Sequence, residues 1–149
     1  MSEQRIRELI EELDSEDFVT RFTAKNNLLA MGELVVPVLI TAFEEEQREM
    51  VRYWIVDVLG ALKDQARNAV PTLLKALEGD TSEGVRAVAA GVLEVIVEKV
   101  EEIVPALIKS LRNDTSSRVQ KTVDMTLKKI ASKLGYATSE DLIKAFEDK

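Results

Sequence analysis

Three prolines recur at one fixed interval, and this interval constrains the fold more than any other feature of the chain. Pro37, Pro71 and Pro105 are the only prolines among the 149 residues, and each is separated from the next by 34 residues. The segments around them also match and read VVPVLITAF, AVPTLLKAL and IVPALIKSL. A repeat of this length predicts a stack of helix pairs in which each unit covers the apolar face of the next.

Apolar residues keep the same register in each of these units. Every proline-containing segment has apolar residues at i, i+3, i+4 and i+7, which form one face of an α-helix. These sets are Val36, Leu39, Ile40 and Phe43; Val70, Leu73, Leu74 and Leu77; and Val104, Leu107, Ile108 and Leu111. A second stripe follows each set: Val51, Ile55, Val58, Leu59 and Leu62; Val85, Ala89, Val92, Leu93 and Ile96; and Val119, Val123, Thr126, Leu127 and Ile130. Each unit is therefore predicted to be two helices, with the proline near the start of the first.

The two ends of the chain are predicted to close the stack. A shortened first unit has a helix from about Ser2 to Leu13, then a helix capped by Asp14 or Ser15 and ended by Gly32. At the other end Gly135 is expected to end a helix, and a capping helix follows at 138–148. We expect a single domain, 1–149, with units at about 1–32, 33–65, 66–99 and 100–134.

Composition excludes several classes of function. The chain has no Cys and no His, so it has no disulfide, no thiolate nucleophile, no imidazole base and none of the usual ligands for zinc, copper or haem. The start of the chain lacks the apolar core of a signal peptide, and the uncharged run at 34–43 is too short to span a bilayer. We expect a cytoplasmic protein that has no metal or cofactor and does not enter a membrane.

Charge is distributed unevenly along a chain whose net charge is −7. This balance disfavours binding to nucleic acid, because such binding depends on clustered Lys and Arg. The last full unit is nevertheless basic, through Arg118, Lys121, Lys128, Lys129 and Lys133. Contact with a nucleic-acid backbone through this unit stays open as an alternative function.

A dense run of acids, Glu44, Glu45, Glu46 and Glu49, raises the question of carboxylate catalysis. The run falls at a predicted helix end and turn, whereas general acid–base work needs a desolvated cleft. It lacks the spacing of a calcium loop, and the chain has no Gly-rich phosphate motif and no pairing of nucleophile and base. We do not expect an enzyme.

The proline-containing VPxLIxAL helix, the acid in the turn and a second helix that opens with Val-Arg resemble HEAT and HEAT-like repeats. The Val-Arg pairs are 51–52 and 85–86, and the turn acids are Glu46, Asp80 and Asp114. The resemblance implies an all-α fold, a right-handed α–α superhelix of about four helix pairs plus a C-terminal capping helix. It also implies that Asp80 with Arg86, and Glu46 with Arg52, tie adjacent units together. The last full unit departs from this pattern, because Gln120 replaces the arginine.

In proteins of this type the second helices line a groove that holds a partner, and the resemblance implies the same here. On a helical wheel, Trp54 and Asp57 lie beside the core stripe and Tyr53 lies opposite it. With their equivalents in the other units, the predicted partner-binding residues are Phe22, Asn26, Tyr53, Trp54, Asp57, Ala87, Val88, Gly91, Lys121 and Met125. Phe22 and Trp54 could equally complete the core.

We therefore predict a non-catalytic scaffold or adaptor that binds a protein or peptide in this groove. Besides contact with nucleic acid, the resemblance leaves a second alternative, a helper similar to the HEAT-like bilin lyases. That alternative depends on the repeat alone and on no active-site residue. A monomer and a weakly self-associating protein are both compatible with the sequence.

Overall fold

The computed structural model describes residues 2–149, with residue 97 described by its backbone alone. The described residues form nine α-helices and no β-strand. The α-helices are α1 (Glu3–Glu12), α2 (Phe18–Ala30), α3 (Val36–Glu45), α4 (Glu49–Ala61), α5 (Val70–Gly79), α6 (Glu83–Val92), α7 (Val100–Asn113), α8 (Ser117–Leu134) and α9 (Ser139–Glu147). Short 3₁₀ segments lie between units, at Gly32–Val35, Lys63–Ala69, Leu93–Val95 and Val97–Lys99.

The helices form two layers, as expected for stacked pairs. The even-numbered helices α2, α4, α6 and α8 contact one another in series, most extensively where α6 lies between α4 and α8. In the other layer α1 contacts α3 and α5 contacts α7, while α3 also contacts the 3₁₀ segment that precedes α5. Helix α9 packs against α7 and α8 at the C-terminal end. The all-α repeat fold predicted from the sequence is confirmed.

The core is built from the predicted stripes. Leu39, Leu73 and Leu107 of the first helices are fully buried, and so are Ile55 and Val123 of the second helices. Burial of an aliphatic side chain of this size stabilises the fold by about 1.5–3 kcal/mol. Since each stripe faces the neighbouring helices, the core runs through all the units as one cluster.

One predicted helix is shorter than its stripe. Helix α6 ends at Val92, after which Leu93–Val95 form a 3₁₀ turn and Ile96 leaves helical geometry with φ −104° and ψ 75°. Leu93 and Ile96 are still buried, so the packing was predicted correctly and the helix length was not. The tract is rich in β-branched residues, which lose side-chain freedom in a helix and lower its stability there.

The prolines occupy two different positions. Pro37 and Pro71 lie in the first turn of α3 and α5, as predicted. Pro105 lies inside α7, which begins a turn earlier at Val100. Its ring nitrogen cannot donate to the carbonyl four residues before it, so one helical hydrogen bond is lost in α7.

Several helix ends differ from the predicted caps. Asp17, rather than Asp14 or Ser15, caps α2, and its side chain accepts a hydrogen bond from the Thr20 amide at 3.2 Å. This choice places the carboxylate directly before the first free N–H groups of the helix. Gly32 and Gly135 end α2 and α8 as predicted, with φ values of +61° and +85°. The position equivalent to Gly32 in the next unit is Lys63, which also has positive φ, at 54°.

Arginines tie the units together, but by a different pairing than the resemblance implies. Arg52 donates to the Glu46 carbonyl of its own turn and forms an ion pair with Asp80 of the next unit. Arg86 repeats the arrangement, with the Asp80 carbonyl at 2.8 Å and the Asp114 carboxylate at 2.9 Å. The side chains of Asp80 and Asp114 therefore face the arginine of the preceding unit, while the carbonyls of Glu46 and Asp80 face the arginine of their own unit. The Glu46 side chain differs, because it pairs with Arg48 of its own unit.

No single helix among residues 2–149 is long and apolar enough to cross a membrane. The segments Phe18–Ala30 and Gly32–Glu45 reach the length and apolar composition of a membrane span only when they are taken together, and the chain bends by 112° between them. The predicted domain and unit boundaries stay a prediction, and residue 1 lies outside the described residues.

Candidate partner-binding groove

The predicted partner-binding residues fall into columns that run across the second helices. One column consists of Phe22, Tyr53, Ala87 and Lys121, from α2, α4, α6 and α8 in turn. The next column, one helical turn further on, consists of Asn26, Asp57, Gly91 and Met125. Because these helices pack side by side, equivalent positions in sequence become neighbours in space.

Four of these residues meet in one shallow depression of about 250 Å³ that extends across α4, α6 and α8. We call it the central depression, and it is lined by Tyr53, Ala87, Val88, Gly91, Val92, Arg118 and Thr122. Its floor is smooth because α6 contributes small side chains: Ala87 is buried and Gly91 has none. A Cβ built on Gly91 lies 3.6 Å from the Thr122 Cγ2 atom, which is an ordinary contact.

Phe22 and Trp54 meet in a second depression, of about 130 Å³, at the N-terminal end. We call it the aromatic depression, and it is lined by Leu13, Phe18, Arg21, Phe22, Lys25 and Trp54. Phe22 is 53% exposed and stacks on Phe18, which is 65% exposed, with ring centroids 5.8 Å apart. Phe22 therefore belongs to the surface rather than to the core.

Trp54 serves both the core and the surface. It is half-buried against the hydrophobic core, and its ring meets the Tyr53 ring edge-on at 5.2 Å. The Arg21 guanidinium lies 5.1 Å from the centre of the Trp54 ring. This contact places a cation and an aromatic surface side by side at the mouth of the aromatic depression.

The remaining predicted residues lie outside both depressions. Asn26, Lys121 and Met125 are exposed, and Met125 is an isolated apolar residue on α8. Asp57 is half-buried and accepts a hydrogen bond at 2.7 Å from Lys25, so its carboxylate is already paired. This pair also accounts for a lysine at a position where the two middle units have Val56 and Ala90, while the last full unit has Asp124 there.

Seven lining residues of the two depressions were not predicted as partner-binding residues: Leu13, Phe18, Arg21, Lys25, Val92, Arg118 and Thr122. In α2, Phe18 lies one turn before Phe22 of the predicted column, and Arg21 directly precedes Phe22. Arg118 was noted only as part of the basic unit, yet it lies at the edge of the central depression. For Arg118 the sequence signal was present, since residues 19, 50, 84 and 118 form a third column in which Gly84 precedes Arg118.

The basic character of the last full unit is partly neutralised. Lys128 pairs with Asp124 at 2.9 Å, and the hydrogen bond that it donates to this carboxylate raises the pKa of Lys128. Lys133 pairs with Glu94 of the preceding unit. Of the five predicted cations, Arg118, Lys121 and Lys129 have no carboxylate partner within the described residues.

The acidic run does not form one clustered, buried site. Arg48 donates hydrogen bonds to Glu46, and these lower the pKa of Glu46 to about 2, against partial burial, which raises it. Glu44 and Glu45 are exposed, and Glu49 accepts a hydrogen bond from the Ser82 hydroxyl at 2.7 Å. Within residues 2–149 there is no group of three or more Asp or Glu residues placed to hold a metal ion.

Comparison with known proteins bears on the fold and family. A family model described as HEAT repeats matches residues 6–94 and again residues 70–149. No curated protein matches the sequence. Among solved structures, a chain from the structure of the complex of CpcE and CpcF of phycocyanin lyase from Nostoc sp. PCC7120 superposes with a TM-score of 0.75. The two chains are 19% identical over 97% of this chain and 87% of that chain, so the likeness concerns the fold alone.

Proposed function

The chain belongs to the HEAT repeat family, and from this premise we propose that it is a non-catalytic scaffold that binds a protein or peptide partner across its second helices. The observation that carries the proposal is the central depression, where four predicted residues from two helices meet on a smooth, mainly apolar surface. Aromatic side chains such as Tyr53 are enriched at surfaces that bind proteins. We further propose that the protein works in the cytoplasm.

The aromatic depression supports the same proposal. Phe18, Val19 and Phe22 leave more than half of their surface exposed on one end of α2. Exposed apolar side chains that lie together, rather than singly, mark interaction surfaces in soluble proteins. A partner segment that crosses α4 and α2 would cover them together with Trp54.

The test is a selection of binders from a random dodecamer peptide library displayed on phage, followed by a blocking variant. Gly91→Gln places a side chain in the central depression without a clash, because the first added atom has only an ordinary contact with Thr122. We expect this variant to lose at least about tenfold in affinity for the selected peptides. Its folding should be unharmed, because glutamine favours a helix more than glycine does.

Gly79→Gln is the matched control. Gly79 is the last residue of α5, in the other layer, and a Cβ there meets nothing within 4 Å. The control should bind the peptides as the wild-type protein does. If no selected peptide distinguishes Gly91→Gln from Gly79→Gln, the second helices are not the binding surface and the proposal is wrong.

A second candidate is a helper in bilin attachment. Its support is the fold likeness to a chain of the phycocyanin lyase complex, together with the shared repeat type. If the protein binds a bilin, mixing it with a free bilin should shift the visible absorbance bands of the pigment. An unchanged spectrum at saturating protein would remove this candidate.

A further inference from the structure

Arginine pairing separates Arg118 from almost every other arginine of the chain. Seven of the nine arginines form an ion pair with a carboxylate. Arg21 forms none among the described residues, but it donates to the Ser15 carbonyl at 2.9 Å and lies over two aromatic rings. Arg118 has neither an ion pair nor a ring partner within residues 2–149. A protein with an excess of acids thus leaves one guanidinium group without a partner.

The place of Arg118 makes this exception meaningful. The residue is exposed in the first turn of α8, and it lines the central depression opposite Tyr53. Its side chain lies across α6 at Gly84, where the Nη1 atom is 3.5 Å from the point that a glycine Cβ would occupy. A larger side chain at Gly84 would displace it. Lys121, one turn further along α8, is also exposed and has no carboxylate partner within the described chain.

The nearest acid does not neutralise Arg118. The Oε1 atom of Glu49 lies 3.7 Å from the same point above Gly84, but this carboxylate accepts a hydrogen bond from Ser82 and forms no ion pair with Arg118 in the described structure. The edge of the central depression therefore presents unpaired guanidinium donors beside an apolar floor. A guanidinium group binds a carboxylate through two parallel hydrogen bonds, which adds orientation to attraction.

We propose that the partner is an acidic segment of a protein, with an Asp or Glu side chain that pairs with Arg118 and an apolar side chain that fills the central depression beside Tyr53 and Val88. This inference rests on the proposed function and adds the chemistry of the partner to it. Arginine is among the residues that contribute most to binding at protein interfaces, particularly where apolar contacts exclude water. Charge complementarity of this kind also raises the rate of association.

The observations favour a peptide over a nucleic acid as the acidic partner. Affinity for a polyanion increases with the number of phosphates that are neutralised, and the central depression offers Arg118 alone, with Lys121 outside it one turn further along α8. Two of the five cations on which the nucleic-acid alternative depends, Lys128 and Lys133, are already paired within the protein. The floor of the central depression consists of small and aromatic side chains, which suit an apolar side chain better than a sugar–phosphate backbone.

The test uses the dodecamer peptides selected on the full chain and a neutral copy of the tightest one, in which Asp and Glu become Asn and Gln. The selected peptides should be enriched in Asp and Glu next to an apolar residue. The neutral copy should bind about tenfold more weakly, and added salt should weaken the acidic peptide only. Arg118→Glu should reduce affinity for the acidic peptide by at least about tenfold, and Glu49→Gln should increase it.

Lys75→Glu is the matched control. Lys75 is an exposed cation on α5 in the other layer, and its substitution by Glu changes the net charge by the same amount as Arg118→Glu does. It should leave peptide affinity within about twofold of wild type. Circular dichroism of all three variants should show unchanged helicity, because the altered side chains are exposed.

Three outcomes would overturn the inference. In the first, the selected peptides carry no acidic residue and bind Arg118→Glu normally, while Gly91→Gln still blocks their binding. This result would refute the acidic partner and leave the groove as the binding surface. Failure to select any peptide that Gly91→Gln blocks would refute the groove and the acidic partner together. In the third, a fluorescein-labelled single-stranded oligonucleotide displaces the peptide from wild type and does not bind Arg118→Glu. This result would assign the site to nucleic acid instead.

Discussion

Gly60 allows α4 to pack directly against α6, and Gly60→Ala tests how closely the central units must fit. Gly60 is buried in α4, and a Cβ built there lies 2.3 Å from the Cγ1 atom and 2.6 Å from the Cβ atom of Val92. Neither atom is the end of a flexible side chain. The added methyl group must therefore push the two helices apart or distort one of them.

Two opposing effects decide the size of the change. Overpacking a core typically costs about 1–3 kcal/mol. Replacing glycine by alanine inside a helix returns up to about 1 kcal/mol. We expect Gly60→Ala to lower the free energy of unfolding by about 1–2 kcal/mol, which for a chain of this size lowers the melting temperature by about 2–8 °C.

The assay is urea unfolding followed by far-ultraviolet circular dichroism, with two further variants. Gly79→Ala is the control for helix propensity: nothing lies within 4 Å of its added Cβ, so it should raise stability by about 0.4–1 kcal/mol. Val92→Gly removes both clashing atoms and leaves only the Cα atom of residue 92, at 3.6 Å. In that background Gly60→Ala should be neutral or stabilising. A Gly60→Ala protein as stable as wild type, or one with an equal cost in both backgrounds, would refute the reasoning.

Three further predictions concern stability. Lys63→Gly should raise the free energy of unfolding by about 0.5–1 kcal/mol, because glycine adopts a positive φ without the strain that Lys63 bears there. Gly32 already holds the equivalent position in the preceding unit. A lower free energy of unfolding in urea would contradict this prediction. Above the ordinary pKa of 4.5, ionised Glu46 stabilises the folded state, and this contribution is lost as pH falls toward about 2. The free energy of unfolding of wild type should therefore exceed that of Glu46→Gln by less and less across that range. A constant difference would show that the Arg48 hydrogen bonds do not stabilise the ionised Glu46 side chain. Asp80→Asn should cost about 3 kcal/mol in thermal or urea unfolding, because it leaves a half-buried arginine without its charge partner; a cost below about 1 kcal/mol would make the pair unimportant for stacking.

Much of the fold could be predicted because a repeat links sequence position directly to spatial position. The interval between prolines fixed the register of the units, and the stripes gave the buried faces correctly, even at Ile96, where the helix has already ended. The early end of α6 could not be predicted, because the apolar period continues past it. The positive φ of Lys63 was missed for a related reason. Lysine disfavours the left-handed region, and the packing of α4 against the following 3₁₀ segment maintains this conformation.

The candidate site could be predicted only in outline. The columns followed from the repeat, and they brought Tyr53 next to Ala87 and Gly91 as expected. Which charges stay unpaired could not be read from the chain, since the partner of each tying arginine lies 28 residues away in the next unit. The exception at Arg118 becomes visible only when those pairs are in place. The role of all ten predicted residues in binding stays a prediction.

The ties between units run in one direction, and this has a consequence for how such a protein can change in length. Each link needs an arginine from one unit and a turn acid from its C-terminal neighbour, as in Arg52 with Asp80 and Arg86 with Asp114. A tandem duplication of one 34-residue segment from the middle of the chain would recreate both members of the link at its one new junction. Gene duplication or protein engineering could thus lengthen the array by whole units, while the end units, whose faces differ, keep their places at the termini.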